Sequence, residues 1–563
     1  MPVLDWLSRP RDDRGLRLLG PDGDWHFHSY TDLARSVHRV SARLRAVGAE
    51  PGDVVSLIQA DPLTFIASFW GVLAAGMVPS PLATPLSFGP DERYLAHLGA
   101  ILPVAEPAAI LTDDVLGDLV AAARTSDRRP PVVLRLDLGE LTDEGDLSIT
   151  PAAPDRLALL QFTSGSTGTP KGVRISRRAF DANVDAIRAW VGWRDEDVFA
   201  SWLPLYHDMG LIGGMVTPIV SGADLFLMTP AQFIRSPRTW LECFGRHGAT
   251  MTTSPSFGYG YTARRVRPAE LEGLDFSGWR VAILGAERIE PAAVAAFCRL
   301  TAPQGFDPAA LVGAYGLAEV TLAACGTTPG QGARLVRAES TVLPMGERVK
   351  VADTGRLGPD GVHGVGWMTA CGTPLSGLRL RIVDDEGSEL ADGSFGEIVV
   401  SGNCLADGYL LADGTLVDFT PDGLRTGDSG FRLDGELYVV GRLGESMKVR
   451  GASLHAEDLE LELAELEGMP RVRCAVAFGH SDDADLAVVF VGREVNDDWV
   501  RTATERIRIL TAGTAQPLVL VGGPGAITQT SSGKPRRRTM WTELLSGDAG
   551  RWTVRHGRLP VAH

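Results

Sequence analysis

Cysteine is scarce in this chain. Its six cysteines among 563 residues, Cys243, Cys298, Cys325, Cys371, Cys404 and Cys474, stand far apart with no Cys-x-x-Cys pair. Neither a disulfide scaffold nor a cysteine zinc site fits that spacing, and a reducing, cytoplasmic compartment is expected. Positive charge is in deficit as well. Lys plus Arg number 54 against 70 Asp plus Glu, a net charge of −16, which argues against a general nucleic-acid or anionic-membrane surface. Uninterrupted apolar runs are missing too: Phe65 to Pro79 is too short to span a bilayer, and Met209 to Met228 is broken by Pro218, Ser221, Asp224 and four glycines. No transmembrane segment is expected, and both runs read as a buried helix followed by a strand. The first fifteen residues carry charges where an export signal needs an apolar stretch. There is no internal repeat.

What is present is an alternation of helix and strand. After Tyr30, the apolar residues Leu33, Val37, Val40 and Leu44 recur at three to four positions up to Gly48, and Val54 to Ile58 then reads as a strand. The same rhythm returns in Phe180 to Val191 before Val198 to Trp202, and in Trp240 to His247 before Thr250 to Thr253. A layered α/β fold follows. From about Gly372 the texture changes to short strands between Gly and Asp turns, at 378–383, 397–401 and 436–440, which predicts a small β subdomain. Beyond Gly441-Arg442-Leu443-Gly444 a helix at 456–466 and strands at 473–478 and 485–491 predict a smaller, mobile α+β C-terminal domain.

Between these elements lies a run of hydroxyls and glycines ending in a lysine. Thr163-Ser164-Gly165-Ser166-Thr167-Gly168-Thr169-Pro170-Lys171-Gly172 follows the apolar segment 157–162. Glycines let backbone N–H groups approach an anion, hydroxyls donate further hydrogen bonds, and Lys171 adds a mobile charge. A lone Gly/Ser cluster usually only punctuates elements, but ten suitable residues in a row form a phosphate grip. Gly172 stands where a P-loop needs Ser or Thr for Mg²⁺, so this is not a P-loop NTPase.

Further segments stand in order: Leu203-Pro-Leu-Tyr-His-Asp-Met-Gly-Leu211, Gly285-Ala286-Glu287, Gly313-Ala314-Tyr315-Gly316-Leu-Ala-Glu319, Arg425-Thr-Gly-Asp428, Gly441-Arg442 and Ser531-Ser-Gly-Lys534. Together with the phosphate grip they resemble the adenylate-forming enzymes, and the resemblance runs from Tyr30 to Arg538. It implies a large N-terminal adenylation domain over 1–441, a hinge at 442–446 and a C-terminal domain over 447–563 that carries a catalytic lysine. It also implies ATP-dependent conversion of a carboxylate to acyl-AMP, with release of pyrophosphate, followed by transfer of the acyl group to a nucleophile.

The site residues follow from the same resemblance. Thr163 to Gly168 and Lys171 would hold the phosphates, Gly285 to Glu287 and Gly313 to Gly316 the adenine, with Tyr315 stacked on the base. Asp428 would take a ribose hydroxyl, and Arg442 the ribose or a phosphate. Glu319 would hold Mg²⁺, and Lys534 would place its charge on the reacting carboxylate and α-phosphate, with Lys448 a second catalytic candidate. His207, Asp208, Met209, Gly210 and Ser256 would line or gate the acyl pocket. No base is required, because a carboxylic acid is already ionised near neutral pH.

Tyr206 to Leu211, Thr253-Ser-Pro-Ser-Phe257 and Gly402-Asn-Cys-Leu-Ala-Asp-Gly-Tyr409 look most like the fatty acyl-AMP ligases, which charge acyl carrier proteins. The segment 334–368 matches an insert that, in those ligases, restrains the C-terminal domain against the pose that uses CoA. Gly444 departs from the family, which usually places Asp or Lys at that hinge position. The basic run Arg536-Arg537-Arg538 is the obvious place for an acidic carrier to dock. An acyl-CoA ligase is the nearest alternative, and a non-catalytic nucleotide-binding homologue is disfavoured by the joint presence of Lys171, Glu319, Asp428 and Lys534.

Overall fold

The computed structural model describes residues 2–85, 91–123, 130–141, 149–150, 153–163, 170–450, 452–466, 474–481, 484–529 and 534–560. Its central layer is a nine-stranded sheet in which Gly15–Leu19, Asp224–Leu227, Val198–Ser201, Met251–Ser254, Val281–Leu284 and Leu311–Gly316 run parallel. A second, four-stranded parallel sheet joins Val78–Pro81, Val54–Ile58, Ala109–Thr112 and Val132–Arg135. Helices cover both, as the alternating pattern predicts.

Local chemistry fixes these helices. Ser29 caps Tyr30–Ala46 by accepting the Asp32 N–H, and Leu33, Val37, Val40 and Leu44 form its buried stripe. Asp61 caps Pro62–Ala74 in the same way through Thr64. The two helices meet at Gly71, where an added Cβ would lie 2.7 Å from the Val40 side chain. The second apolar run folds as a π-helix, Met209–Val216, then a short α-helical turn, Thr217–Val220, and the strand Asp224–Leu227. Among the described residues no helix is long and apolar enough to cross a membrane. All six cysteines are buried and free.

The expected β region is a four-stranded antiparallel sheet ordered Leu378–Val383, Gly396–Gly402, Leu424–Leu433, Glu436–Arg442. The segment 334–368 is folded rather than loose. Arg334–Ala338, Val351–Arg356 and Trp367–Thr369 form an antiparallel sheet, while Leu343–Pro344 pairs with Ala452–His455 in the C-terminal part of the chain. That part consists of the hairpin Ser446–Val449 and Ala452–His455, and a four-stranded sheet with the helices Ala456–Ala464, Asp497–Leu510 and Arg537–Leu545.

The structure corrects one reading of the basic run. Arg537 is only 7% exposed. Its guanidinium donates to Glu460 at 2.9 Å through two nitrogens and pairs with Glu445, so it is unavailable to a docking partner. Arg538 is exposed and Arg536 is half-buried. Glu445 directly follows Gly444, so the residue after that glycine is tied to the helix Arg537–Leu545. Breaking a buried pair leaves an uncompensated charge, and Arg537→Ala is expected to destabilise the protein by about 3–5 kcal/mol. The double variant Arg537→Met, Glu460→Gln should regain most of that loss in chemical denaturation. Equal stability of parent and Arg537→Ala would show that the pair contributes nothing.

Candidate active site

In a parallel sheet the carboxyl ends of neighbouring strands open on one edge, and ligands settle there. The register sets Leu284 beside Gly313 and Ser254 beside Leu284, so the segments leaving these three strands emerge side by side. They border a cleft of about 1630 Å³, closed from the other side by the small β sheet and the C-terminal part. Thr163 and Lys171 face each other across an antiparallel strand pair and both border the cleft. Ser164, Gly165, Ser166, Thr167 and Gly168 lie outside the described residues.

Gly285, Ala286 and Glu287 line the cleft opposite Ala314, Tyr315 and Gly316. Ala286 has φ +65°, a left-handed backbone that a residue with a side chain adopts at a cost, and such strain concentrates at functional sites. Glu287 accepts the Phe257 N–H at 2.9 Å. Gly313 lies behind the wall: its N–H donates to Thr327 and an added Cβ would sit 2.2 Å from the Ala370 carbonyl oxygen.

Asp428 and Arg442 are direct partners in the antiparallel pair of the small sheet, with Nε to Oδ1 at 3.3 Å. The buried Tyr315 hydroxyl donates to the other Asp428 oxygen at 2.7 Å. Burial pushes the Asp428 carboxyl above the usual range, against the pull of Arg442, Tyr315 and Lys534. Glu319 is fixed by the 3-10 turn Ala318–Val320 and accepts the Tyr409 hydroxyl at 2.7 Å. Burial raises its carboxyl too.

His207, Asp208 and Met209 border the cleft. Burial opposes the Asp208 charge, but the His207 ring at 2.7 Å, the Met209 N–H and the charge of Lys534 outweigh it and hold the carboxyl low. Lys534 therefore reaches, from the C-terminal part, the field of two carboxylates on separate segments. Gly210 lies against the Pro204 carbonyl and borders an adjoining cavity. Ser256 is fully buried and does not border the cleft itself, but bridges the backbone of Arg288 and Glu290, which do. Lys448 is exposed on the hairpin Ser446–Val449 and does not border the cleft in this arrangement.

Residues 7–369 match the AMP-binding enzyme family. The chain belongs to that family, the adenylate-forming ligases. A Mycobacterium marinum relative, the long-chain-fatty-acid–AMP ligase FadD26, is 32% identical over 516 residues, covering 86% of each chain. A Caulobacter vibrioides protein provisionally named an acyl-CoA synthetase is 32% identical over 528 residues, covering 92% of this chain and 91% of its own. A structure from work on fatty acyl-adenylate ligases of E. coli and L. pneumophila aligns with a TM-score of 0.83 at 28% identity, covering 97% of this chain and 98% of its own.

Within this AMP-binding enzyme, Glu319 fits a magnesium contact. Among the described residues no three acidic, histidine or cysteine side chains cluster as a protein-made metal site. A carboxylate near Lys171 suits Mg²⁺, which takes one or two carboxylates and completes its shell with substrate phosphates and water. The lining of the cleft also includes apolar side chains, some of them from the run 209–228. Met209, Gly213 and Thr217 contribute from that run, but Ile187, Trp190 and Val191, along with Phe199, Met251 and Ile283, line the cleft as well. The helical spacing of Ile187, Trp190 and Val191 looks like any core face, so only the fold distinguishes a channel wall from packing. Trp190 is pinned by its indole N–H on the Thr327 carbonyl at 2.8 Å and packs where a Cβ on Gly326 would overlap it.

Removing the Asp428 charge strips Arg442 of its partner and loosens the Tyr315 hydroxyl. Asp428→Asn is expected to weaken ATP binding roughly tenfold or more, measured by calorimetry, with the circular dichroism spectrum unchanged. Unaltered affinity would remove Asp428 from the nucleotide site.

Proposed function

We propose that this enzyme activates a fatty acid with ATP and passes the acyl group to the phosphopantetheine thiol of an acyl carrier protein. The supporting observation is the convergence of Lys534, Asp428, Glu319 and Lys171 on one cleft whose lining also includes the apolar Ile187, Trp190 and Met251. The fatty acyl-AMP ligase FadD26 and the structural match to fatty acyl-adenylate ligases favour the same reading.

In the first step an oxygen of the ionised acid forms a bond to the α-phosphorus of ATP, and the bond to the bridging oxygen of pyrophosphate breaks. Tyr315 offers its ring to the adenine, while Asp428 and Arg442 take the ribose. Lys171 and the segment after Thr163 hold the phosphates. Lys534 lies across the carboxylate and α-phosphate and stabilises the negative charge that builds there. Glu319 would hold Mg²⁺, which would supply charge neutralisation at the phosphates. The acyl chain lies along Ile187, Trp190 and Met251, out of water. In the second step the thiol attacks the acyl carbonyl carbon and AMP leaves.

The acceptor depends on how the C-terminal part, 447–563, is held after the hinge 442–446. The strand pairing of Leu343–Pro344 with Ala452–His455 supports restraint by the segment 334–368. So does the buried ion pair of Arg288 with Asp458, in which Arg288 also donates to the Trp367 carbonyl. An acyl-CoA ligase is the second reading, favoured by the Caulobacter relative. Arg536 and Arg538 remain candidates for carrier docking. The free buried cysteines fit a reducing, cytoplasmic setting.

Pyrophosphate exchange that depends on added fatty acid tests the reaction directly, and exchange with no response to any fatty acid would overturn it. Lys534→Ala should slow adenylate formation by about 10²–10³ while ATP still binds; an unchanged rate would refute its role. Leu343→Gly with Pro344→Gly, which weakens the pairing with Ala452–His455 while keeping the sheet of 334–338, 351–356 and 367–369, should leave adenylation intact and raise acyl-CoA output from near zero, read by mass spectrometry. Abundant acyl-CoA from the parent would favour the CoA-ligase reading instead.

A further inference from the structure

We infer that Tyr409 is a positioning residue for the phosphate end of the nucleotide and its divalent cation, holding the Glu319 carboxylate with its hydroxyl and the Lys171 ammonium with its ring. The inference rests on the proposed adenylation reaction. Tyr409 stands in the short strand Gly408–Leu410, which pairs with Lys171–Ser176 on one side and Leu416–Asp418 on the other. Its hydroxyl donates to Glu319 Oε1 at 2.7 Å, and Lys171 Nζ lies 5.2 Å from its ring centroid. One side chain thus touches the carboxylate suited to the metal and the lysine that closes the phosphate segment.

The segment leading to Tyr409 is built to hold that position. The Ala406 N–H donates to the Glu319 carbonyl at 2.8 Å, and the Thr321 hydroxyl donates to the Cys404 carbonyl at 3.3 Å. Thr321 has φ +72°, so the turn after Glu319 keeps a left-handed backbone to make this contact. Gly408 lets the strands close up, since an added Cβ would lie 2.1 Å from the Val417 carbonyl oxygen. Phe419 packs edge-on to the Tyr409 ring at 4.9 Å and fixes its plane.

The chemistry follows from these contacts. A carboxylate in apolar surroundings is drawn to whatever donor it finds; with Oε1 committed to Tyr409, Oε2 keeps one direction. A metal contact needs that fixed direction more than it needs extra charge. The ring face attracts the Lys171 ammonium without neutralising it, leaving its full charge for phosphate.

The test compares Tyr409→Phe, which keeps the ring, with Tyr409→Leu, which loses both contacts. ATP affinity is measured by calorimetry with and without Mg²⁺, alongside melting temperature and pyrophosphate exchange over a magnesium titration. Tyr409→Phe is expected to lose roughly tenfold of the affinity that Mg²⁺ adds, the size of one hydrogen bond to a charged group, while ATP affinity without Mg²⁺ stays at the parent value. Tyr409→Leu is expected to weaken ATP binding in both conditions. A Phe variant with parental magnesium response overturns the proposal. So does one whose only change is a lower melting temperature, which would make Tyr409 a packing residue. A parent that shows the magnesium increment but activates no fatty acid refutes the proposed reaction while leaving the Tyr409 contacts supported.

Discussion

A carboxylate removed from water must be answered by hydrogen bonds and positive charge, and Asp428 is where this chain meets that demand. Its partners come from three parts of the fold: Tyr315 from the end of the nine-stranded sheet, Arg442 from the neighbouring strand of the small sheet, and the charge of Lys534 from the C-terminal part. No one of these parts forms the cleft alone. The site is therefore assembled by tertiary packing, and the register that sets Asp428 opposite Arg442 matters as much as the identity of either residue. A slip of one position in that pairing would turn Arg442 to the other face of the sheet and leave a buried charge unanswered.

Much of this was legible in sequence because adenylate chemistry concentrates unusual residues in short segments. Gly/Ser clusters, a Tyr-Gly pair before an acid, and a lone Lys after Ser-Ser-Gly stand out from the composition of helices and strands. The helix over Tyr30–Ala46 and the strand–helix order also follow from apolar spacing, since that spacing is what packs them. Residues whose value lies in contact were harder to read. Gly313 and Ser256 sit inside recognised motifs, yet one serves the close approach of Ala370 and the other a loop bridge. Arg537 reads as part of a solvated basic tail, and only folding reveals Glu445 and Glu460 around it. Trp190 is likewise silent, because a channel wall and a core face obey the same periodicity.

Glu445 and Arg537 join the segment after Gly441-Arg442 to the C-terminal helix. Gly444 sits in the 3-10 turn Leu443–Glu445, where an added Cβ would meet nothing within 4 Å. The following residue ties the hinge to the helix Arg537–Leu545, which directly follows the segment bearing Lys534. Under the proposed reaction, a displacement of 442–446 would reach Lys534 through this ion pair.

The same logic bears on the choice of acceptor. Among the described residues, the C-terminal part is held to the rest by the strand pairing at Leu343–Pro344, the Arg288–Asp458 pair beside Trp367 and the hydrogen bond of His455 with the Ser429 hydroxyl. These contacts must break if that part is to rotate, and breaking the Arg288–Asp458 pair exposes two charges whose desolvation has already been met in the present pose. A difference of about 3 kcal/mol between two orientations reduces the minor one to less than one part in a hundred. The restraint needs no steric block at the cleft itself; it needs only contacts that exist in one pose and not in the other. Under the proposed reaction, acceptor selectivity is then a property of residues remote from the reacting atoms, and the adenylate step, which uses the pose already stabilised, is left free of that cost.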